Sequence, residues 1–124
     1  MSENQIQSHR DLIAWQKAMD LVVAVYRVSK AFPKEETYGL TSQLRRAAVS
    51  VPANIAEGQG RRSKAEFGHF LGNARGSLLE LDTHLEVALR LDYLGGQEHS
   101  QLRGQIHEVG RILNGLMRSL TSNL

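Results

Sequence analysis

The chain has 124 residues, enough for one domain around one core, and its 41% apolar and 23% charged residues are the proportions of a folded, soluble protein. No segment has the length and purity of a membrane-spanning helix, and the absence of cysteine excludes disulfides, thiol nucleophiles and cysteine-held metals. The formal net charge is only +2, yet 11 of the 15 cations are arginine, the residue suited to bidentate phosphate contacts.

Residues 1–10 are polar and aperiodic and read as a disordered tail, with residues 11–124 as the folded unit. The opening MSENQIQSHRD lacks the basic start and apolar run of a secretion signal, so a cytoplasmic protein is expected. From Asp11 onward, Leu12, Trp15, Met19, Val22 and Tyr26 recur at steps of three and four, beside a second line through Leu21, Val25, Val28 and Phe32. This predicts an amphipathic first helix ending before Pro33.

The second helix is expected over residues 38–57. Its apolar line is Leu40, Leu44, Ala48, Val51 and Ile55, and its polar line is Gln43, Arg46, Ser50, Asn54 and Glu57. The periodicity runs through Pro52, which removes the amide that would bond to Ala48, at about 3 kcal/mol in an isolated helix; a kink rather than a stop is expected. Gly58 and Gly60 are read as left-handed residues that end the helix.

Ser63-Lys64-Ala65-Glu66 is a capping box that opens the third helix. Phe67, Leu71, Ala74, Leu78, Leu81, Leu85 and Ala88 continue it to about Tyr93, and a turn at Gly95-Gly96-Gln97 follows. Leu102, Ile106, Val109, Leu113, Leu116 and Leu120 mark the fourth helix. Four helical segments with short turns and no alternating strand pattern predict an all-α, up-down-up-down antiparallel four-helix bundle.

The run LRRAAVSVPANIAEGQGRRS, with the segments on either side of it, resembles the four-helix-bundle proteins encoded in intervening sequences of 23S ribosomal RNA genes. The resemblance covers about residues 11–94, and it is specific because the proline, the glycines and the arginines occur together in one order. That family is similar in fold to the accessory bundle protein of diversity-generating retroelements, a pentameric barrel that binds nucleic acid and a reverse transcriptase. The resemblance therefore implies a homo-oligomer, by analogy a pentamer, with RNA or DNA and a reverse transcriptase as candidate partners.

The residues themselves argue against catalysis. GQGRRS lacks the preceding strand and the spaced glycines or lysine of a phosphate loop. His84 follows Glu80 by four, but no second such pair exists to build a di-metal site. No nucleophile elbow is present, and the polar line of the second helix holds one carboxylate, so it offers no acid/base pair. No cofactor or metal is expected.

What remains is binding. Arg61, Arg62 and Lys64, with Arg45 and Arg46 upstream, form the candidate nucleic-acid-binding cluster. Ser50, Asn54 and Glu57, with Arg46, read as a partly buried structural line, in which Arg46 pairs with a carboxylate and Ser50 or Asn54 bonds carbonyls freed by Pro52; the alternative for this line is a binding surface. Gly68, Gly72 and Gly76 recur every four residues in the third helix, each costing about 1 kcal/mol relative to alanine. They serve either close packing inside the bundle or a groove for a neighbouring protomer. Glu80, Asp82, Glu86 and Asp92 lead to the expectation of a molecule basic near the second turn and more acidic toward the third. The resulting reading is a non-enzymatic oligomer that binds nucleic acid through its basic residues; the alternative is a protein-interaction module with no nucleic-acid role.

Overall fold

The computed structural model describes residues 6–121. Four helices, α1 (Ile13–Ser29), α2 (Leu40–Gln59), α3 (Lys64–Arg90) and α4 (Gly96–Thr121), are accompanied by single 3-10 turns at His9–Asp11 and Lys34–Glu36. No strand occurs among the described residues. Each helix packs on two others in the cyclic order α1, α2, α3, α4, and among the described residues the backbones of the diagonal pairs stay more than 8 Å apart. The protein is therefore an all-α four-helix bundle. Ser50 meets Ser77 while Gly58 lies against Phe67 and Phe70, so α2 and α3 run antiparallel. Gly68 approaches Leu120, Leu78 approaches Gly110 and Asp82 pairs with Arg103, which makes α3 and α4 antiparallel as well. No helix among the described residues is long and apolar enough to cross a membrane.

The core is built from the lines that the 3.6-residue period marks. Leu44, Ala48, Val51 and Ile55 of α2, Leu71, Ala74, Leu78, Leu81, Leu85 and Ala88 of α3, and Leu102, Ile106, Val109 and Leu113 of α4 are buried. In α1 the buried line is Ala14, Ala18, Leu21 and Val25, while Met19 and Tyr26 remain 38% and 39% exposed. The short alanines face the core, and of the neighbouring line Leu12 is buried and Trp15 and Val22 pack against the core, while Met19 and Tyr26 fall toward solvent.

Helix ends differ from expectation in three places. Regular structure begins inside the stretch read as tail: the Ser8 hydroxyl accepts from the Arg10 amide and the Asp11 carboxylate accepts from the Ser8 amide, a complete capping box before α1. Residues 1–5 of that tail lie outside the described residues. At α3 the Ser63 hydroxyl accepts from the Glu66 amide at 3.1 Å, but it also donates to the Glu66 carboxylate, so the carboxylate meets the hydroxyl instead of the Ser63 amide. Gly58 and Gly60 do not adopt left-handed geometry. Gly60 has φ −78°, and no described glycine has positive φ. The left-handed residue is Asp92, with φ 61°; it ends α3 in a Schellman motif, in which Tyr93 N–H donates to Ala88 and Asp92 N–H donates to Leu89.

Gly58 has a different role. It is buried inside α2, where a Cβ would sit 2.8 Å from Phe70 Cβ and 3.0 Å from Phe67 Cδ1. The missing side chain is what lets α2 and α3 approach. Pro52 is also buried within α2, so its ring adds apolar surface to the interior. The carbonyl of Ala48 receives no substitute donor from Asn54, whose amide instead donates to the carbonyl and hydroxyl of Ser50.

These two situations predict opposite outcomes for one substitution. Gly58→Ala is expected to destabilise the protein by about 1–3 kcal/mol through overpacking against α3. Gly104→Ala, in α4 with open space at its Cβ position, is expected to stabilise by up to about 1 kcal/mol through helix propensity. Urea melts of the two variants check both signs.

Candidate nucleic-acid interface

Arg45 and Arg46 follow one another on α2 but face different surroundings. The Arg45 Nε donates to Ser29 Oγ at 2.8 Å, its Nη2 donates to the Tyr26 carbonyl at 3.4 Å, and its guanidinium lies 4.5 Å from the Tyr26 ring centroid. Arg45 thus ties α2 to α1. Arg46 is exposed and makes no ion pair among the described residues, contrary to the carboxylate partner expected for it. Glu80 of α3 lines a cleft with Arg46 but is bonded to His84.

At the other end of α2, Arg61 reaches back to Glu57 at 2.7 Å, and its guanidinium sits 4.7 Å from the Phe70 ring centroid. Arg62 and Lys64 are exposed and without an acidic partner among the described residues. The five basic residues do not form one cluster. Arg46 lies thirteen helical positions before the end of α2 at Gln59, about 20 Å at the usual rise of 1.5 Å per residue, and Arg61 follows beyond that end. These five residues form two spots, one toward each end of α2.

The polar line divides between these ends. Ser50 shares a 2.8 Å hydrogen bond with Ser77 of α3 and Asn54 bonds Ser50, so both belong to the helix seam; Glu57 belongs to Arg61. Of the α3 glycines, Gly68 has only Leu120 Cδ1 at 4.0 Å, and Gly72 and Gly76 have nothing within 4 Å of a built Cβ. Close packing within the bundle therefore does not account for Gly72 and Gly76. Their stripe continues along the outside of α3 through Leu79 and Val87, which are 62% and 40% exposed.

Three acids of α3 have basic or histidine partners. Glu80 meets His84 at 3.3 Å, Asp82 meets Arg103 at 3.4 Å, and Glu86 meets Arg90 at 2.9 Å and the buried His99 at 3.5 Å. The hydrogen bond from Arg90 holds the Glu86 carboxyl below its usual pKa, against a smaller opposing effect of burial. The Nε2 of His99 is buried with no hydrogen-bond partner. No group of three potential ligands that could hold a metal occurs among the described residues.

Three further residues near Arg45 and Arg46 escaped the sequence reading. Tyr26, Lys34 and Tyr38 line a cleft of about 390 Å³ at the connector between α1 and α2, together with both arginines. Tyr26 counted as core because it shares a period with Leu12 and Trp15. Tyr38 stood only as a helix start, and nothing in its local pattern signals that it is 97% exposed. Within the same connector, Glu36 is occupied: it accepts from the Tyr93 hydroxyl at 2.9 Å and from the Leu40 amide. That bond raises the Tyr93 phenol above its usual pKa.

Residues 10–115 match the 23S rRNA-intervening sequence protein family. The chain belongs to that family. The fold is also similar to the crystal structure of a protein with unknown function from the S23 ribosomal protein family from Bacteroides thetaiotaomicron, with a TM-score of 0.79 and 20% identity over 86% of this chain and 99% of that one. At that identity the likeness concerns the fold. No curated protein sequence matches the chain. The family match extends past the residues that carried the resemblance, through most of α4.

For this member of the intervening-sequence family, the different environments of its arginines are directly measurable. Arg45→Ala is expected to cost about 1–2 kcal/mol, from two hydrogen bonds and a cation–π contact. Arg62→Ala, with no ion pair to lose among the described residues, should stay within about 0.5 kcal/mol of wild type. Denaturant melts of the two single variants make the comparison.

Proposed function

We propose that the protein is a non-enzymatic, oligomeric binder of nucleic acid that uses its exposed cations on the phosphate backbone. The observation that supports this is that three of the five candidate basic residues are exposed and unpaired among the described residues. Asp82 and Glu86 are engaged by arginines, whereas Arg46, Arg62 and Lys64 stand exposed without acidic partners among the described residues. Arg62 and Lys64 also flank the N-terminus of a 27-residue helix, where free amides and the helix dipole favour anions. Contacts of this kind read charge and not sequence, so binding is expected for single strands of any composition.

The outer stripe of α3 supports the oligomeric part of the proposal and equally a protein-interaction role. Gly72 and Gly76 permit close backbone approach, and Leu79 and Val87 leave apolar surface for a neighbour to cover. A second copy is the occupant we propose, in a pentamer by resemblance; a reverse transcriptase is the alternative partner that the resemblance suggests.

Salt dependence of single-stranded RNA binding tests the first claim. Wild type should show a linear fall of log affinity with log salt, and Arg62→Glu with Lys64→Glu should reduce that slope by about 1.4 per bound protomer, from roughly 0.7 per phosphate contact. Arg61 adds less because Glu57 already engages it. Wild-type protein without salt-sensitive retention of single strands contradicts the proposal and leaves the interaction module. For assembly, light scattering should give a multiple of the 13.8 kDa chain mass, lowered by Gly72→Leu; a monomer mass for wild type at micromolar concentration contradicts it.

A further inference from the structure

Exposed aromatic side chains scattered singly call for no explanation, but Tyr38 does not stand alone. Its ring, 97% exposed, borders a cleft of about 390 Å³ whose walls also carry Tyr26, Lys34, Arg45 and Arg46, and no acidic residue lines it. Arg45 keeps its guanidinium over the Tyr26 ring, forming a planar surface that stays in place because Ser29 and the Tyr26 carbonyl hold it. Lys34 and Arg46 remain exposed at the rim with no ion pair among the described residues. The Thr37 hydroxyl donates to the Lys34 carbonyl, and Glu36 is held by Tyr93 and Leu40. The volume lies in the range of small-ligand sites.

We propose that this cleft is a base-stacking subsite for single-stranded nucleic acid, in which Tyr38 and the Tyr26–Arg45 pair receive unpaired bases and Lys34 and Arg46 hold the adjoining phosphates. The inference rests on the nucleic-acid reading above and adds to it a second site, remote from Arg62 and Lys64, with a preference for unpaired strands. Aromatic platforms beside cations bind single strands because every base has a stacking face once it is released from a duplex. A proline-rich peptide also docks on aromatic clefts, but it would leave the three cations without counter-charge, whereas a polyanion uses both features.

Fluorescence anisotropy with a labelled oligouridylate provides the test, with an abasic strand of equal length, a duplex and a proline-rich peptide as comparisons. Tyr38→Ala is expected to weaken oligouridylate binding about tenfold while leaving the salt slope unchanged, because stacking releases no counter-ions. Tyr38→Phe should retain most of the affinity. The abasic strand and the duplex should bind wild type and Tyr38→Ala equally. Since Tyr38 is almost wholly exposed, unchanged helical circular dichroism is expected for both variants. Salt-sensitive wild-type binding that Tyr38→Ala does not alter overturns the subsite and leaves the backbone-binding proposal standing; no wild-type binding overturns both. Equal losses on oligouridylate and the abasic strand overturn stacking as the cause. Tyr38-dependent retention of the peptide in place of oligouridylate assigns the cleft to a protein ligand and overturns the inference.

Discussion

The close contact between α2 and α3 is the constraint on which the rest of the molecule depends. Gly58 allows the backbone of α2 to come against Phe67 and Phe70, and Ser50 bonds Ser77 farther along the same seam. Between these points Val51, Pro52 and Ile55 are buried. A proline in mid-helix is tolerable here because its neighbours are committed to tertiary packing, which supplies most of a helix's stability in a folded protein. With the seam closed, Leu71, Ala74, Leu78 and Leu81 point to the interior that α1 and α4 complete.

The seam also determines where charge can be displayed. The seam holds hydroxyls and an amide that satisfy one another, and the cations that flank it, Arg45 and Arg46 on one side and Arg61 and Arg62 on the other, lie toward the two ends of α2. At each end one arginine is immobilised on an aromatic ring, Arg45 on Tyr26 and Arg61 on Phe70, and a neighbouring cation is left in solvent. This repeated arrangement, a fixed guanidinium beside an unpaired charge, suits a polyanion better than a compact ligand, since the two ends are separated by most of a helix length. Of the acids of α3, by contrast, Asp82 and Glu86 meet arginines on α4 and α3, and Glu80 meets His84.

Much of the fold was legible in the sequence where side-chain size and depth coincide. The leucine and isoleucine lines of α2, α3 and α4 became the core because large apolar groups at helical spacing have one favourable place to go. In α1 size and depth diverge: Ala14 and Ala18 are buried while Met19 and Tyr26 are not, and periodicity by itself does not rank a small residue over a large one. Glycines were misjudged for a related reason. Gly58 is required by what lies across from it, namely Phe67 and Phe70, and a partner on another helix leaves no trace in local sequence. The five basic residues were identifiable, but their division was not, because Arg45 and Arg61 are distinguished from Arg46 and Arg62 only by contacts to Tyr26, Ser29, Glu57 and Phe70. The cleft at the first connector depends on residues up to twenty positions apart and could not be assembled without the fold.

The central claim is that nucleic acid meets this bundle at both ends of α2 while the α2–α3 seam between them takes no part. Hydrogen–deuterium exchange with and without a single-stranded oligouridylate tests it most directly, because local protection reports where a ligand sits. Slowed exchange is predicted in residues 34–46 and 60–66, with the middle of α2, the middle of α3 and all of α4 unchanged. Protection confined to α4 or to the outer stripe of α3, or none at either end of α2, would contradict it.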